Sequence, residues 1–277
     1  MHNLMEQLAL AILLGLIEGI TELLPVSSSG HMIITTYLLG IDQNPQVKLL
    51  EVVSQLGAIS AVLSLLWQEI KQTFVNTLQA RSYHKAAKKL NAIHFVLGLL
   101  PATVAGLYFS DFIDQHLFSI HTATLGLAAG GLLMIVADQF NRNKKETPQL
   151  SQVTYQKSGF IGLMQCLSLW PGFSRLGSTV AAGVLSGLDY ITAYYFSFLL
   201  ALPIIAGATL LKLRSAWPEI TLANLPFLLT GTLTAFIVAQ LIARTVLKKI
   251  LSQTTLRTFG IYRLTLALVI NLLLLFM

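Results

Sequence analysis

Apolar positions along the chain come in blocks too long and too continuous for the one-sided helices of a soluble protein. Residues 48–67, 91–109, 119–138, 190–211, 222–243 and 256–276 each form such a block. A helix needs ~20 mostly apolar residues to cross a bilayer, so six transmembrane helices are expected. Residues 8–40 and 157–187 are different in kind: an apolar helical run, a Pro/Ser/Gly interruption, then a second short run. The interruptions read Pro25-Val26-Ser27-Ser28-Ser29-Gly30-His31 and Pro171-Gly172-Phe173-Ser174-Arg175-Leu176-Gly177-Ser178. Proline removes a donor and clashes with the preceding turn, while serine is a good N-cap for the helix that follows. Irregular backbone at membrane depth is tolerated where protein or a wet cavity surrounds it. These two stretches are therefore expected to be re-entrant helix–loop–helix hairpins in an all-α, polytopic integral membrane protein.

Composition narrows the function classes. Of 277 residues, 55% are hydrophobic and 11% charged, with a mean hydropathy of +0.71; soluble domains carry roughly 25% charged residues. A soluble enzyme, a disordered chain and a disulfide scaffold are excluded, and Cys166 has no cysteine partner in the chain. The first apolar run holds Glu18 and Glu22 and lacks a basic leader, so it reads as mature protein and not as a removable signal. The net charge of +6 is a topology signal and not a nucleic-acid footprint: 13 of the 18 lysines and arginines fall in the loops after the first, third and fifth spans. The positive-inside rule makes those loops cytoplasmic. The first hairpin then enters from the other side, and its site is expected to open extracytoplasmically.

Each half, about 1–140 and 141–277, would hold one hairpin and three spans. An odd number of crossings turns the second half upside down within a single membrane domain. Gly15-Leu16-Ile17-Glu18 aligns with Gly162-Leu163-Met164-Gln165, and Ser27-Ser28-Ser29-Gly30 with Ser174-Arg175-Leu176-Gly177. An inverted repeat with two broken helices is a transporter-like architecture.

The breaks also gather the chemistry. Glu18 and Glu22 lie four apart on one helical face, where each carboxylate at membrane depth costs ~2.5–3.5 kcal/mol and calls for a metal, an arginine or water. Ser27, Ser28, Ser29 and His31 follow at a helix start, where free N–H groups favour anions. Arg175, beside Ser174 and one turn before Thr179, is the side-chain type best suited to grip phosphate. Together these residues describe a phosphate-handling site. Spacing alone leaves hydrolysis and transport open, and gives His94, His116 and His121 no role.

The run Glu18-Gly19-Ile20-Thr21-Glu22-Leu23-Leu24-Pro25-Val26-Ser27-Ser28-Ser29-Gly30-His31 closely resembles the signature of the bacterial undecaprenyl-diphosphatase (bacitracin-resistance) family. Pro171-Gly172-Phe173-Ser174-Arg175 with Thr179 is similar to its second motif, and Glu51–Gly57 and Phe196–Pro203 are similar to further family segments. The resemblance implies a phosphatase of the bacterial inner membrane that takes the terminal phosphate from a C55 polyprenyl diphosphate and recycles the carrier lipid for cell-wall synthesis, with Mg²⁺ or Ca²⁺. It places the acidic pair on Glu18 and Glu22, which are also the candidate metal ligands. The essential serine falls on Ser28, the histidine on His31 and the arginine on Arg175, with Ser27, Ser174 and Thr179 as phosphate contacts. Leu176 and Tyr190 depart from the family pattern, which commonly has a serine and a basic residue there. Ser28, His31 and water all remain candidate nucleophiles. The rival function is a secondary transporter or lipid flippase on the same repeat. The partners implied are the lipid substrate and the bilayer, and glycine-rich helix faces would permit a homodimer.

Overall fold

A computed structural model of the protein describes residues 4–41, 44–65, 90–140, 148–217, 220–245 and 255–276, with Trp67, Gln68, Lys71 and Val75 besides. Most of the basic residues behind the charge-based orientation, among them Arg81, Lys85, Arg142, Lys144 and Lys248, lie outside the described residues. The helices are α1 (Leu4–Thr21), α2 (Ser28–Leu38), α3 (Pro45–Leu65), α4 (Ala92–His116) and α5 (Ile120–Asp138), then α6 (Tyr155–Gln165), α7 (Arg175–Leu185), α8 (Tyr190–Ala216), α9 (Leu225–Thr245) and α10 (Leu256–Phe276). Among the described residues, a helix, a break, a short helix and three long helices thus occur twice in the same order.

All six expected spans are helices. Two outrun their apolar blocks: α4 continues to His116 and α8 to Ala216, because the polar turns holding Asp111, Asp114, Lys212 and Arg214 go on satisfying the helical ladder. A seventh helix, α1, is also long and apolar enough to cross a membrane, although the sequence pattern assigns it to a hairpin. Both expected breaks are present, and α1 ends before Pro25.

Pairwise contacts give the helix directions. Gly15 packs on Gly231 and Gly19 on Ala235, so α1 and α9 run parallel. Gly57 packs on Thr232, and Ser64 donates to Gln240 at 3.0 Å, which makes α3 parallel to both. In the other half Ser158 donates to His94 O and Gly162 packs on Gly98, so α6 runs parallel to α4. Gly98 also meets Leu200, and Asp114 meets Lys212, so α8 shares that direction. Leu50 and Gly15 both meet Gly231, so α3 begins level with the first half of α1, and α2 must return toward that end to reach it. By the same reasoning through Gly98, α7 returns to the end where α6 began. The two breaks therefore meet in the middle of the bundle from opposite ends.

Backbone approach at glycine pairs and a cluster of buried apolar side chains around α8 hold the bundle together. The outer surface carries exposed Leu107, Tyr108, Leu210, Leu241 and Leu268, a continuous apolar exterior suited to hydrocarbon and far larger than a soluble monomer shows. Pro101 and Pro203 sit inside α4 and α8, as spanning helices tolerate when neighbours satisfy the freed groups.

Gly15→Leu is expected to block the α1–α9 contact, where a Cβ would already overlap Gly231 O. Overpacking of this kind costs ~1–3 kcal/mol or more. Gly159→Leu, at a position with open space within 4 Å, serves as the control. Melting midpoint and monodisperse yield in detergent should fall for the first variant and hold for the second.

Candidate active site

Both breaks are built alike. After α1 the chain turns through residues 22–26, and Ser27 enters α2 with φ 75°, its Oγ accepting from Gly30 N at 3.3 Å. After α6 and a short 3₁₀ turn, Ser174 enters α7 with φ 70°, its Oγ accepting from Gly177 N at 3.0 Å. These are the two non-glycine residues with positive φ among the described residues. Such conformations cost ~1–3 kcal/mol each and concentrate at functional sites. The helices they cap have eleven residues each.

The tips touch. Gly172 N donates to Ser29 Oγ at 3.4 Å, and a Cβ on Gly30 would lie 3.2 Å from Gly172 Cα. Gly172 itself has φ 89° and lies so close to Ala123 O that no side chain would fit there. Across this junction runs a chain of polar contacts: Ser28 Oγ donates to Glu22 Oε2 at 2.8 Å, and Arg175 Nη2 donates to Glu22 Oε1 at 2.5 Å. One carboxylate from the first break thereby joins the serine of its own half to the arginine of the other.

These groups border a cavity of about 180 Å³. Glu22, Ser27, Ser28, Ser174 and Arg175 form its polar wall, and Ile204, Ile205 and Ala208 of α8 form an apolar one. Ser29, Gln55 and Ser168 also face it. Gln55 and Ser168 are not among the expected site residues, because a single amide or hydroxyl in an apolar run carries no local signature. Leu176 lines the cavity too, so the departure noted at that position replaces a hydroxyl with hydrocarbon.

The remaining expected residues stand behind the wall. Glu18 is fully buried, and neither carboxylate oxygen makes a hydrogen bond, although Ser28, Glu22, Glu51 and Arg175 all lie within its electrostatic reach. Thr179 is fully buried and returns its hydroxyl to Arg175 O at 2.9 Å, so it braces the first turn of α7 and does not face the cavity. His31 lies outside the cavity lining as well. Its Nδ1 donates to Ser27 O at 2.7 Å, and its Nε2 accepts from the Tyr262 hydroxyl at 2.7 Å. His94 finds its place in a capping box with Asn91 at the start of α4.

Two neighbours on α10 complete the site. Tyr262 holds His31, and Arg263 is fully buried. The Arg263 guanidinium donates to Pro25 O at 3.4 Å in the first break, to Gly172 O at 2.7 Å and Phe173 O at 2.8 Å in the second, and to Gly126 O at 3.2 Å. The sequence signal for Arg263 was its charge inside an apolar run, which is costly at membrane depth and rarely idle. Nothing in the sequence named its partners.

A divalent cation fits the donor set. Glu18 brings two oxygens without partners beside Glu22, and Mg²⁺ is commonly held by one or two carboxylates with phosphate oxygens completing the shell. No group of three His, Cys, Asp or Glu arranged for a metal occurs among the described residues, so protein alone would not enclose the ion.

Residues 11–269 match the family described as Bacitracin resistance protein BacA. The chain belongs to the BacA family. It is 44% identical to an undecaprenyl-diphosphatase of Geobacillus kaustophilus over 94% of this chain and 95% of that protein. A relative of the same name from Exiguobacterium sibiricum is 43% identical, with 95% and 96% covered. Undecaprenyl-diphosphatase 1 of Bacillus cereus is 40% identical, with 97% and 98% covered. The BacA match takes in both breaks and α10 through Arg263, that is, every residue of the site described above.

In this BacA-family site, Arg263→Met should leave at least three buried carbonyls without a donor, at ~1–3 kcal/mol each. The expected result is a melting midpoint well below wild type together with lost activity. Arg263→Lys, with one compact donor group in place of a fork, should recover part of the stability and little of the geometry. Thermal melts and phosphate release assays on the two variants check this.

Proposed function

We propose that this protein is a membrane phosphatase that hydrolyses undecaprenyl diphosphate to undecaprenyl phosphate and inorganic phosphate, recycling the lipid carrier used in cell-wall synthesis. The observation that carries the reading is the Ser28–Glu22–Arg175 chain at the cavity wall, in a chain 40–44% identical to named undecaprenyl-diphosphatases. The cavity volume of about 180 Å³ is below the ~300–1,000 Å³ that encloses a whole small-molecule ligand. It suits a phosphate head group whose polyprenyl tail stays in lipid.

Ser28 is the nucleophile in this reading. Its hydroxyl is already hydrogen-bonded to a carboxylate, the nucleophile–base pairing that activated serines require. Both nitrogens of His31 are committed to Ser27 O and Tyr262, so His31 positions the strained cap beside Ser28. As Ser28 Oγ bonds to the terminal phosphorus, its proton passes to Glu22, and the bond from phosphorus to the bridging oxygen breaks. The lipid monophosphate leaves, and water then cleaves the phosphoserine to release inorganic phosphate. Arg175 has Nη1 without a partner and stands ready for the phosphate oxygens. The first-turn N–H groups of α2 and α7 add positive potential where the negative charge collects.

Glu18 and Glu22 would hold a Mg²⁺ or Ca²⁺ ion, which when bound supplies further charge neutralisation at the phosphate. The two halves form an inverted repeat with re-entrant hairpins, supported by the matched serine caps and the mirrored helix pairs α1–α9 and α6–α4. With the lysine- and arginine-rich loops following α3, α5 and α9, the cavity opens to the extracytoplasmic face of the bacterial inner membrane. The transport reading gains no support from the packing. Toward the opposite end, Leu23, Tyr194, Phe196 and Phe198 are all buried to within 1% of full, and the Tyr194 hydroxyl donates to Leu23 O.

Purified protein is expected to release phosphate from a polyprenyl diphosphate. Ser28→Ala, Glu22→Gln and Arg175→Ala should each lower kcat by at least ~10²-fold, as loss of a nucleophile, base or charge stabiliser does, without loss of the folded state. Quenched turnover with labelled substrate should place phosphate on Ser28. Label on His31, or full activity in Ser28→Ala, would overturn the assignment. Chelation of divalent cations should suppress turnover, and Mg²⁺ or Ca²⁺ should restore it.

A further inference from the structure

The stripes that line the cavity continue past it on three helices. On α8, Ile205 and Ala208 face the cavity, and Lys212 follows on the same i, i+3, i+7 stripe, ~6 Å beyond Ala208. On α3, Lys48 precedes the cavity residue Gln55 by two turns, ~10 Å along the same face. Thr209 Oγ1 donates to Val52 O at 3.3 Å, and Val47 shares an apolar cluster with Leu213. These contacts make α3 and α8 antiparallel and set Lys48 level with Lys212. On α4, Gly106 packs toward the cavity residue Leu169, and Asp114 stands two turns further on that stripe. Lys212 Nζ lies 2.7 Å from Asp114 Oδ2, and Lys48 Nζ lies 5.0 Å over the ring of Phe118. Lys212 and Asp114 keep 32% and 41% of their side chains exposed.

Toward the other end Tyr194 and its neighbours are fully buried, which leaves the charged level as the side from which a head group would enter. Among the residues lining the cavity, the one guanidinium, Arg175, is already paired with Glu22. A diphosphate approaching a guanidinium already paired with a carboxylate gains from cations along the way, and a charged mouth with low-dielectric walls raises local anion concentration.

We propose that Lys48 and Lys212 form an entry site for the diphosphate head group, with Asp114 as a built-in competitor that holds Lys212 until phosphate replaces it. The inference rests on the phosphatase reading for its ligand. Lys212 exchanges one oxygen anion for another, and the released Asp114 stays solvated at the rim. Lys48 gives up a ring contact that is weak in water.

The test measures KM and kcat for a polyprenyl diphosphate in detergent. It also measures equilibrium binding of the same lipid to protein carrying Ser28→Ala, which reads affinity without turnover. Each lysine near a charged surface is worth about a fivefold change in affinity. K48Q/K212Q is therefore expected to raise KM and weaken binding more than about tenfold at low ionic strength, with kcat within about twofold, and added salt should shrink the difference. D114N frees Lys212 and should strengthen binding, whereas a purely structural ion pair would make D114N and K212Q equally harmful. K212R should restore affinity. Unchanged affinity in K48Q/K212Q, or D114N weakening binding as much as K212Q, overturns the entry site. Wild-type protein that binds the lipid in a lysine-dependent way yet releases no phosphate overturns the hydrolytic reading alone.

Discussion

A helix broken at membrane depth leaves carbonyl groups that neither water nor a following turn can satisfy, and in this protein one guanidinium answers that need for both breaks. Arg263 reaches Pro25 O on one side and Gly172 O and Phe173 O on the other. A buried cation is itself expensive unless hydrogen-bonded, and the carbonyls that need donors partner both Nη groups while Nε stays without one. Arginine is the side chain for this: five donors in a planar fork that keeps its charge. The consequence is geometric. Two tips that arrive from opposite ends of the bundle are fixed at one point, and the serine caps with positive φ are held in strained conformations that free chains would abandon.

On that fixed junction the electrostatics turn on Glu22. Its two oxygens serve two masters, accepting from Ser28 and from Arg175. A buried ion pair adds little net stability against its desolvation cost, so the pair is better understood as a poised arrangement. In the proposed reaction the guanidinium holds the carboxylate where it can take the serine proton, and the carboxylate holds the guanidinium at the cavity wall, where an incoming phosphate would meet it. Removing either partner strands the other in a dry site, which makes the three residues act as a unit.

Much of this was legible in the chain. The apolar blocks placed six of the seven long helices among the described residues, and the Pro/Ser/Gly interruptions located both breaks, because membrane depth leaves few alternatives for such a pattern. The alignment of Ser27 with Ser174 and of Gly30 with Gly177 is the register of the two helix caps. Roles that depend on side-chain direction were harder to read. Thr179 has a hydroxyl suited to phosphate but spends it on its own helix, and His31 turns to Tyr262, 231 residues away. Gln55 and Ser168 reach the cavity through helix rotation, which local sequence does not encode. Arg263 stood out only as a charge inside an apolar run and was given no role, since the carbonyls it serves belong to the fold and not to any motif.

Under the proposed inverted repeat, comparing the two halves at the offset of their caps shows how such a frame would suit an enzyme. Glu18 corresponds to Gln165, Glu22 to Leu169, Ser28 to Arg175, Glu51 to Phe198 and Gln55 to Leu202. The carboxylates, Ser28 and the amide lie in one half, and the other contributes the arginine and a wall of hydrocarbon. Alternating access needs two pathways of similar character that open in turn. Here the second pathway is filled by Tyr194, Phe196 and Phe198 within the main core cluster. Opening it would expose fully buried aromatic side chains, each burying ~150–250 Å², at ~25 cal/mol per Å². The cost is several kcal/mol for each ring. In the proposed repeat, divergence of the halves would convert a symmetric frame into a one-mouthed pocket, with the head group entering and the products leaving by the same path.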